Sequence, residues 1–352
     1  MVMGQSPGSV ADLDISALLA PRERCQDLAG FDGEYADFPD YIIRCTHRIW
    51  EQRNVGLIRT HYGEDCRIHT INGDVAGIEP VIHNTLATLA AFPDRTLYGD
   101  DVIWDGNARD GFFSSHRITS HMTNRGPGEF GPPTGRHAVI RTIADCEVRN
   151  NRIGREWLVR DNLALVWQLG LNPHAVAREQ AAADPEAGLR WVETAKRVLD
   201  RTERHAEAPA PAAGLLKQAL DRIWNHRLIG DVGALYSPAA AVHAPSGREM
   251  HGPRAVAGHI VSLLATLPDA VLVMDRFTEI PSGRGGAMVA VRWRLAGRHT
   301  RPGLYGAPSG RTLLILGVSH FHAIDGQVHE EWTVFDELGV LRQIHARPGD
   351  AA

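Results

Sequence analysis

The sequence predicts an α+β protein of two like units in tandem, each a curved antiparallel or mixed sheet wrapped by helices into a cone. Three observations predict it. The chain repeats itself: "GREWLVRDNLALVWQLGL" from Gly154 returns as "HEEWTVFDELGVLRQIHA" from His329, about 175 residues on. Within each half, helical periodicity comes first and period-two alternation follows. At 352 residues the chain is too long for one ordinary domain and suits two. Helices followed by a run of strands lie together on one face of the sheet. A curved sheet closed by helices leaves one open mouth, where a small ligand can bind.

The repeat keeps its register along the unit. "HRIWEQRN" at His47 meets "DRIWNHRL" at Asp221, and "CRIHT" around His69 meets "AAVHA" around His243. "AFPD" ending at Asp94 meets "TLPD" ending at Asp269. "RITSHMT" at Arg117 is set against "RLAGRHT" at Arg294, and "EFGPPTGR" ending at Arg136 against "LYGAPSGR" ending at Arg311. The chain therefore reads as a tandem duplication with diverged sites.

The elements follow in order. Residues 1–37, rich in Gly, Asp and Pro, form an N-terminal arm. The first unit runs over 38–173. "YIIRCTHRIWEQRN" places Ile42, Cys45, Ile49 and Trp50 at helical spacing. A short helix leads to the strand "CRIHT". A Gly turn then opens the helix "GIEPVIHNTLATLAAFP", stopped by Pro93. Four stretches alternate as strands: "RTLYGDDVIWDG", "GFFSSHRITSHMT", "HAVIRTIADCEVRNN" and "RIGREWLVRDNLALVWQL". A helical connector and a stiff Pro/Ala spacer occupy 174–213. The second unit, 214–347, repeats the order, and 348–352 form a tail.

Composition narrows the function. Hydrophobic residues make up 43%, enough for real cores. A net charge of -5 gives no electrostatic case for nucleic acid or an anionic membrane. The four cysteines (Cys25, Cys45, Cys66, Cys146) form no CxxC pair, which predicts a reduced, cytoplasmic setting and no thiolate zinc cluster. Asp12 and Asp14 and the lack of a basic start with an apolar core predict no secretory leader. No run of about 18 apolar residues predicts a membrane span. Neither GxxxxGK[ST] nor GxGxxG after a strand occurs, so no nucleotide loop is expected.

The helix with "RIW", the "VHAP" strand, "GPRAV" opening a helix, "LPD" and the closing "IDGQVHEEWTVFDELGVLRQI" resemble the SnoaL-like polyketide cyclases. These belong to the nuclear transport factor two-like superfamily of cone-shaped α+β, cystatin-like domains. The resemblance covers both units. It implies an Asp on the last strand acting as acid and base on a carbon acid, helped by a His on the strand beside it. It implies no metal and no organic cofactor. Sheet faces in this superfamily pack against another cone, which implies an internal pseudo-dimer and a homodimer. Carried over residue by residue, the closing Asp is Asp336 in the second unit and Asp161 in the first. His322 precedes Asp336 on a strand that a turn at "IDGQ" would bring alongside, with His320 on the same face. In the first unit those two His positions hold Asp145 and Glu147.

This difference carries its own chemistry. Asp145, Glu147 and Asp161 inside one cone could not all stay ionised, so one would hold a proton and stand as an acid beside a base. Arg117, His69, His116 or His121 would offset the charge. His116 and His121, five apart, lie on opposite faces of a regular strand, so at most one points inward. In the second unit, Asp336 would orient the His322 ring and raise its pKa. His243 and Trp104 are pocket-lining candidates. A two-His-one-carboxylate metal set of His320, His322 and Asp336 is the alternative there, although no metal is expected. The expected function is cofactor-free acid–base catalysis on a small carbonyl or polyketide-like substrate, of lyase, isomerase or cyclase type. Asp161 would be the base, and Glu147 or Asp145 the protonated partner. Hydrolysis of an epoxide or ester is one alternative, and a non-catalytic ligand-binding scaffold another. Asp161 and Glu147 in hydrogen-bond reach within a pocket would favour the enzyme; cones filled with apolar side chains would favour the scaffold.

Overall fold

The computed structural model describes residues 19–184, 186 and 190–346. The first eighteen residues of the expected arm and the tail 348–352 lie outside the described residues. Two compact units form. The first takes the chain up to Thr70 with Asp74–Arg160 and Gln168–Gly170. The second takes Ile71–Gly73, Asp161–Trp167 and the residues from Leu171 onward.

Each unit is built on one six-stranded sheet. The first contains β1 (Tyr62–Thr70), β2 (Gly73–Ala76), β3 (Thr96–Asn107), β4 (Gly111–Thr123), β5 (His137–Arg149) and β6 (Arg152–Arg160), in the order β2-β1-β6-β5-β4-β3. The second contains β7 (Tyr236–Ala244), β8 (Arg248–His251), β9 (Val271–Pro281), β10 (Ala287–Arg298), β11 (Thr312–Ile324) and β12 (Gln327–Phe335), in the order β8-β7-β12-β11-β10-β9. The closing strand runs parallel to the first strand of its unit and antiparallel to its other neighbour. Both sheets are therefore mixed, and the α+β expectation holds in both halves.

Local chemistry explains the elements. The opening helix Phe38–Trp50 starts where the Asp37 side chain accepts from Asp40 N at 2.8 Å, and it buries Ile42, Cys45 and Ile49. Its counterpart Pro211–Asn225 starts on Pro211 and buries Leu216, Leu220 and Ile223. The final hairpins turn on two residues in the left-handed region. These are Asn150 and Asn151 in one unit, and Asp325 and Gly326 in the other. That is the type I′ geometry that matches strand twist.

Two expectations need correction. "RIGREWLVRDNLALVWQL" is not one strand: β6 ends at Arg160, and a helix covers Asn162–Gln168. The second unit does the same, β12 ending at Phe335 and a helix covering Glu337–His345. The Asp between each pair is a helix cap. Asp161 Oδ1 accepts from Ala164 N at 3.2 Å, and Asp336 Oδ1 from Gly339 N at 3.1 Å. The repeat is also more regular than expected. Arg117 pairs with Ile143 and Arg292 with Val318, so Arg117 corresponds to Arg292, not Arg294.

Candidate active site

Register decides which side chains enter the second cone. Glu331 stands opposite Phe321, Thr333 opposite Ser319, and Phe335 opposite Gly317, which in turn faces Trp293 on β10. Alternation puts these on one face. The helices Pro211–Asn225 and Gly252–Thr266 cover that face with Leu220, Trp224, Val256 and Ile260. Together with the sheet they line a cleft open to solvent, with about 710 Å³ of empty space when its mouth is included. The wall is apolar apart from Glu331, Tyr236, Ser319, Thr333, His259 and the indole N–H groups of Trp224 and Trp293.

Those polar groups are organised around one carboxylate. Tyr236 Oη donates to Glu331 Oε2 at 2.5 Å, and Thr333 Oγ1 donates to Glu331 Oε1 at 2.5 Å. Ser319 Oγ lies 2.6 Å from Thr333 Oγ1, and Trp293 Nε1 donates to Ser319 Oγ at 3.0 Å. An indole N–H can only donate. With the Thr333 proton on Glu331, every proton in the chain points from Trp293 towards the carboxylate. Gly317 makes room for this arrangement, because a Cβ there would sit 2.2 Å from Trp293 Cζ2.

Glu331 is 9% exposed. Burial pushes its carboxyl above the ordinary range, and the Thr333 and Tyr236 donors pull it partly back. The Tyr236 phenol is held well above its usual value by burial and then by the Glu331 charge. His259, on the cavity wall, is pushed down by burial and by the Arg248 charge, against a smaller opposing pull from Glu337. The cavity wall thus carries a desolvated carboxyl group of raised basicity and, on a covering helix, a neutral imidazole. A carboxyl group so placed can take a proton from a substrate and return it.

The first cone has the same frame and a different lining. Glu156 stands opposite Cys146, and Tyr62 Oη donates to Glu156 Oε2 at 3.1 Å. Burial raises this carboxyl too; the Tyr62 bond and the Arg160 charge oppose it. Leu158 holds the place of Thr333, and Ala144 that of Ser319, so no hydroxyl chain forms.

The structure does not assemble the expected carboxylate cluster. Asp145 and Glu147 lie on the sheet face opposite Cys146 and Glu156. Asp145 is buried there, and Glu147 is a half-exposed partner of Arg155 at 3.9 Å. Asp161 caps its helix and accepts from Ser246 N at 2.6 Å within the second compact unit. Asp336 likewise caps its helix, and its Oδ2 accepts from Asn162 Nδ2 at 2.6 Å. His320 and His322 share the face opposite Phe321. His322 Nε2–H donates to Gly285 O at 2.8 Å, and its Nδ1 lies 3.9 Å from Glu330. Neither imidazole is brought to Asp336, and among the described residues no three His, Cys, Asp or Glu come together as a metal set.

The lining candidates divide. His69 bonds Asp74 at 3.0 Å and stacks on Trp157; His243 bonds Glu249 at 2.5 Å and stacks on Trp332. Both tryptophans lie on the face away from the glutamates. His116 and His121 take opposite faces, as their spacing requires. His116 shares the face of Ser114 and Ile118, while His121 shares that of Arg117 and rests against Tyr98. Burial, then the Arg117 charge, push His116 down to about 3. Trp104 stands opposite Ser114 and packs on Phe38 and Phe112.

Sequence reasoning passed over Glu331, Tyr236, Ser319, Thr333, Trp293 and His259. One signal was available: Glu156 and Glu331 recur at the repeat spacing, as do Tyr62 and Tyr236. The Glu-Trp pair served as the marker of the repeat, yet its glutamate is the buried acid.

A family model described as SnoaL-like polyketide cyclase matches residues 41–169 and again 214–344. Similar solved structures include IdmH from Streptomyces antibioticus, 19% identical over 38% of this chain and 99% of that one, with a TM-score of 0.34. TsrD from Streptomyces laurentii is 21% identical over 40% of this chain and 100% of that one, TM-score 0.34. A SnoaL-like polyketide cyclase from Agrobacterium tumefaciens is 14% identical over 38% and 98%, TM-score 0.32. No curated protein matches the chain. No helix among the described residues is long and apolar enough to cross a membrane.

Proposed function

The chain belongs to the SnoaL-like polyketide cyclases, each unit carrying one copy, and from that premise we propose that the second unit catalyses proton transfer at carbon next to a carbonyl. The substrate class is a small, largely apolar molecule with two carbonyl groups. The reaction is of lyase or isomerase type, ring closure first among them. One observation carries the reading: a single buried carboxyl, Glu331, with both oxygens bonded, set in a largely apolar cavity.

The carboxylate of Glu331 takes an α-proton and leaves an enolate. The enolate carbon attacks the second carbonyl of the same molecule; a C–C bond forms as that C=O becomes an alkoxide. The Glu331 acid returns its proton to the alkoxide oxygen, and no co-reactant is consumed. Burial makes Glu331 basic enough for the first step, and the bonds from Tyr236 and Thr333 hold it in one orientation. The largely apolar wall limits water, so ring closure competes with protonation of the enolate by solvent that enters through the open mouth.

The test uses heptane-2,6-dione in D2O, with deuterium uptake at its α-carbons followed by NMR. Wild-type protein is expected to accelerate uptake above buffer, and Glu331→Gln to lose about 10²–10⁴-fold. Uptake by Glu331→Gln at the wild-type rate, or none above buffer by the wild type, would sink the reading.

A further inference from the structure

We propose that the cone of the first unit is a binding site for a small organic acid, whose oxyanion head is held by Arg95 and Arg160. Four observations carry this. First, Arg95 is 7% exposed, yet its Nε is buried without a partner. Its Nη2 donates to Ser120 Oγ at 3.2 Å, and its guanidinium lies 4.7 Å from the centre of the Trp50 ring. Second, the charge that acts on Arg95 is another cation, Arg160, so burial and like charge together push it down to about 9. Arg160 Nε is also buried without a partner, as are Thr142 Oγ1 and His116 Nε2.

Third, register gathers these groups on one face. Arg160 stands opposite Thr142, Thr142 opposite Ile118, and His116 and Ser120 flank Ile118 two residues to either side. Trp50, Leu158 and Arg160 are half-buried, so solvent reaches the same face.

Fourth, the chain contains its own control. The same frame in the second unit puts Phe335 where Arg160 stands, Gly317 for Thr142, Val291 for His116 and Leu295 for Ser120. Ala270 stands where Arg95 does: each follows an Asp whose side chain accepts from the backbone N–H of the last residue of β4 or β10, and each N–H bonds three residues back. The fold therefore does not need two interior arginines. Arg160 has Glu156 within reach of its charge, but Arg95 is a desolvated cation on which only another cation acts; that is strongly unfavourable, and what compensates it is an incoming anion. Planar forked donors match carboxylate and phosphoryl oxygens, and Trp50, Ile118 and Leu158 suit an apolar body beside the head.

This site is separate from the one built on Glu331. Isothermal calorimetry on the full chain, with benzoate and with inorganic phosphate as probes and chloride at matched ionic strength as reference, tests it. Saturable binding of either probe is expected. Arg95→Met and Arg160→Gln should each weaken it on the order of tenfold or more, while Glu331→Gln binds as the wild type does. Benzoate alone would identify a carboxylate head, phosphate alone a phosphoryl head. No binding of either at tens of millimolar, or equal binding by the wild type and both arginine variants, would overturn the proposal. Arg160→Gln, on a half-buried side chain, keeps the test decisive if Arg95→Met fails to fold.

Discussion

Gly317→Ala is the sharpest probe of the donor chain. The added Cβ would sit 2.2 Å from Trp293 Cζ2, whereas carbon atoms rest at about 3.5 Å or more. The indole must retreat by about 1.3 Å. Its Nε1 lies 3.0 Å from Ser319 Oγ, so a retreat of that size takes the bond beyond hydrogen-bonding range. Overpacking costs about 1–3 kcal/mol and a lost buried hydrogen bond about 1 kcal/mol. A total of about 2–4 kcal/mol should lower Tm by roughly 4–16 °C for a unit of this size. Calorimetry reads the stability, and deuterium uptake reads the site. Once Ser319 loses its donor, the proton order towards Glu331 is no longer imposed, and uptake should fall with the stability. A variant with wild-type Tm and wild-type uptake would show that Trp293 does not lie over Gly317, and the reasoning from register to site would fail.

Two further outcomes follow from the same geometry. Asp336→Ala should lose about 0.5–2 kcal/mol through its helix cap and leave deuterium uptake unchanged; a collapse of uptake at full stability would return Asp336 to the catalytic machinery. Glu331 has its folded-state pKa raised above the unfolded value, so the stability it contributes is fully present below the unfolded pKa and is lost as pH rises through the folded one. Denaturant titrations from pH 4 to 8 should therefore show the wild type losing stability relative to Glu331→Gln as pH rises, and parallel curves would refute the raised carboxyl.

Much of the architecture was legible in the residues. The duplication is written in the recurrence of segments about 175 residues apart, and the helix-then-strand order and the turn at "IDGQ" are written at short range. Helical spacing in "YIIRCTHRIW" and alternation in "GFFSSHRITSHMT" are local signals, and tertiary contacts reinforce them. The site was less legible, for a reason of parity. A strand shows two faces and its sequence marks neither as inward. In "HFH" the imidazoles drew attention, yet Phe321 between them faces the cavity; in "DCE" the carboxylates did, yet Cys146 between them stands opposite Glu156. Asp161 and Asp336 misled differently, because the polar residue ending a strand also began a helix.

The sequence by itself determined two copies of one cone, the order of their elements and the recurrence of a Tyr and a Glu in each. Only the tertiary structure decided which face the helices cover, and with it that Glu331 is desolvated, that Trp293 reaches Ser319 across Gly317, and that Arg95 lies near Arg160. The physical reason is that desolvation and cross-strand proximity are properties of the closed sheet. A chain can specify its strands residue by residue, but a side chain meets water or another charge only once those strands have curved and been covered.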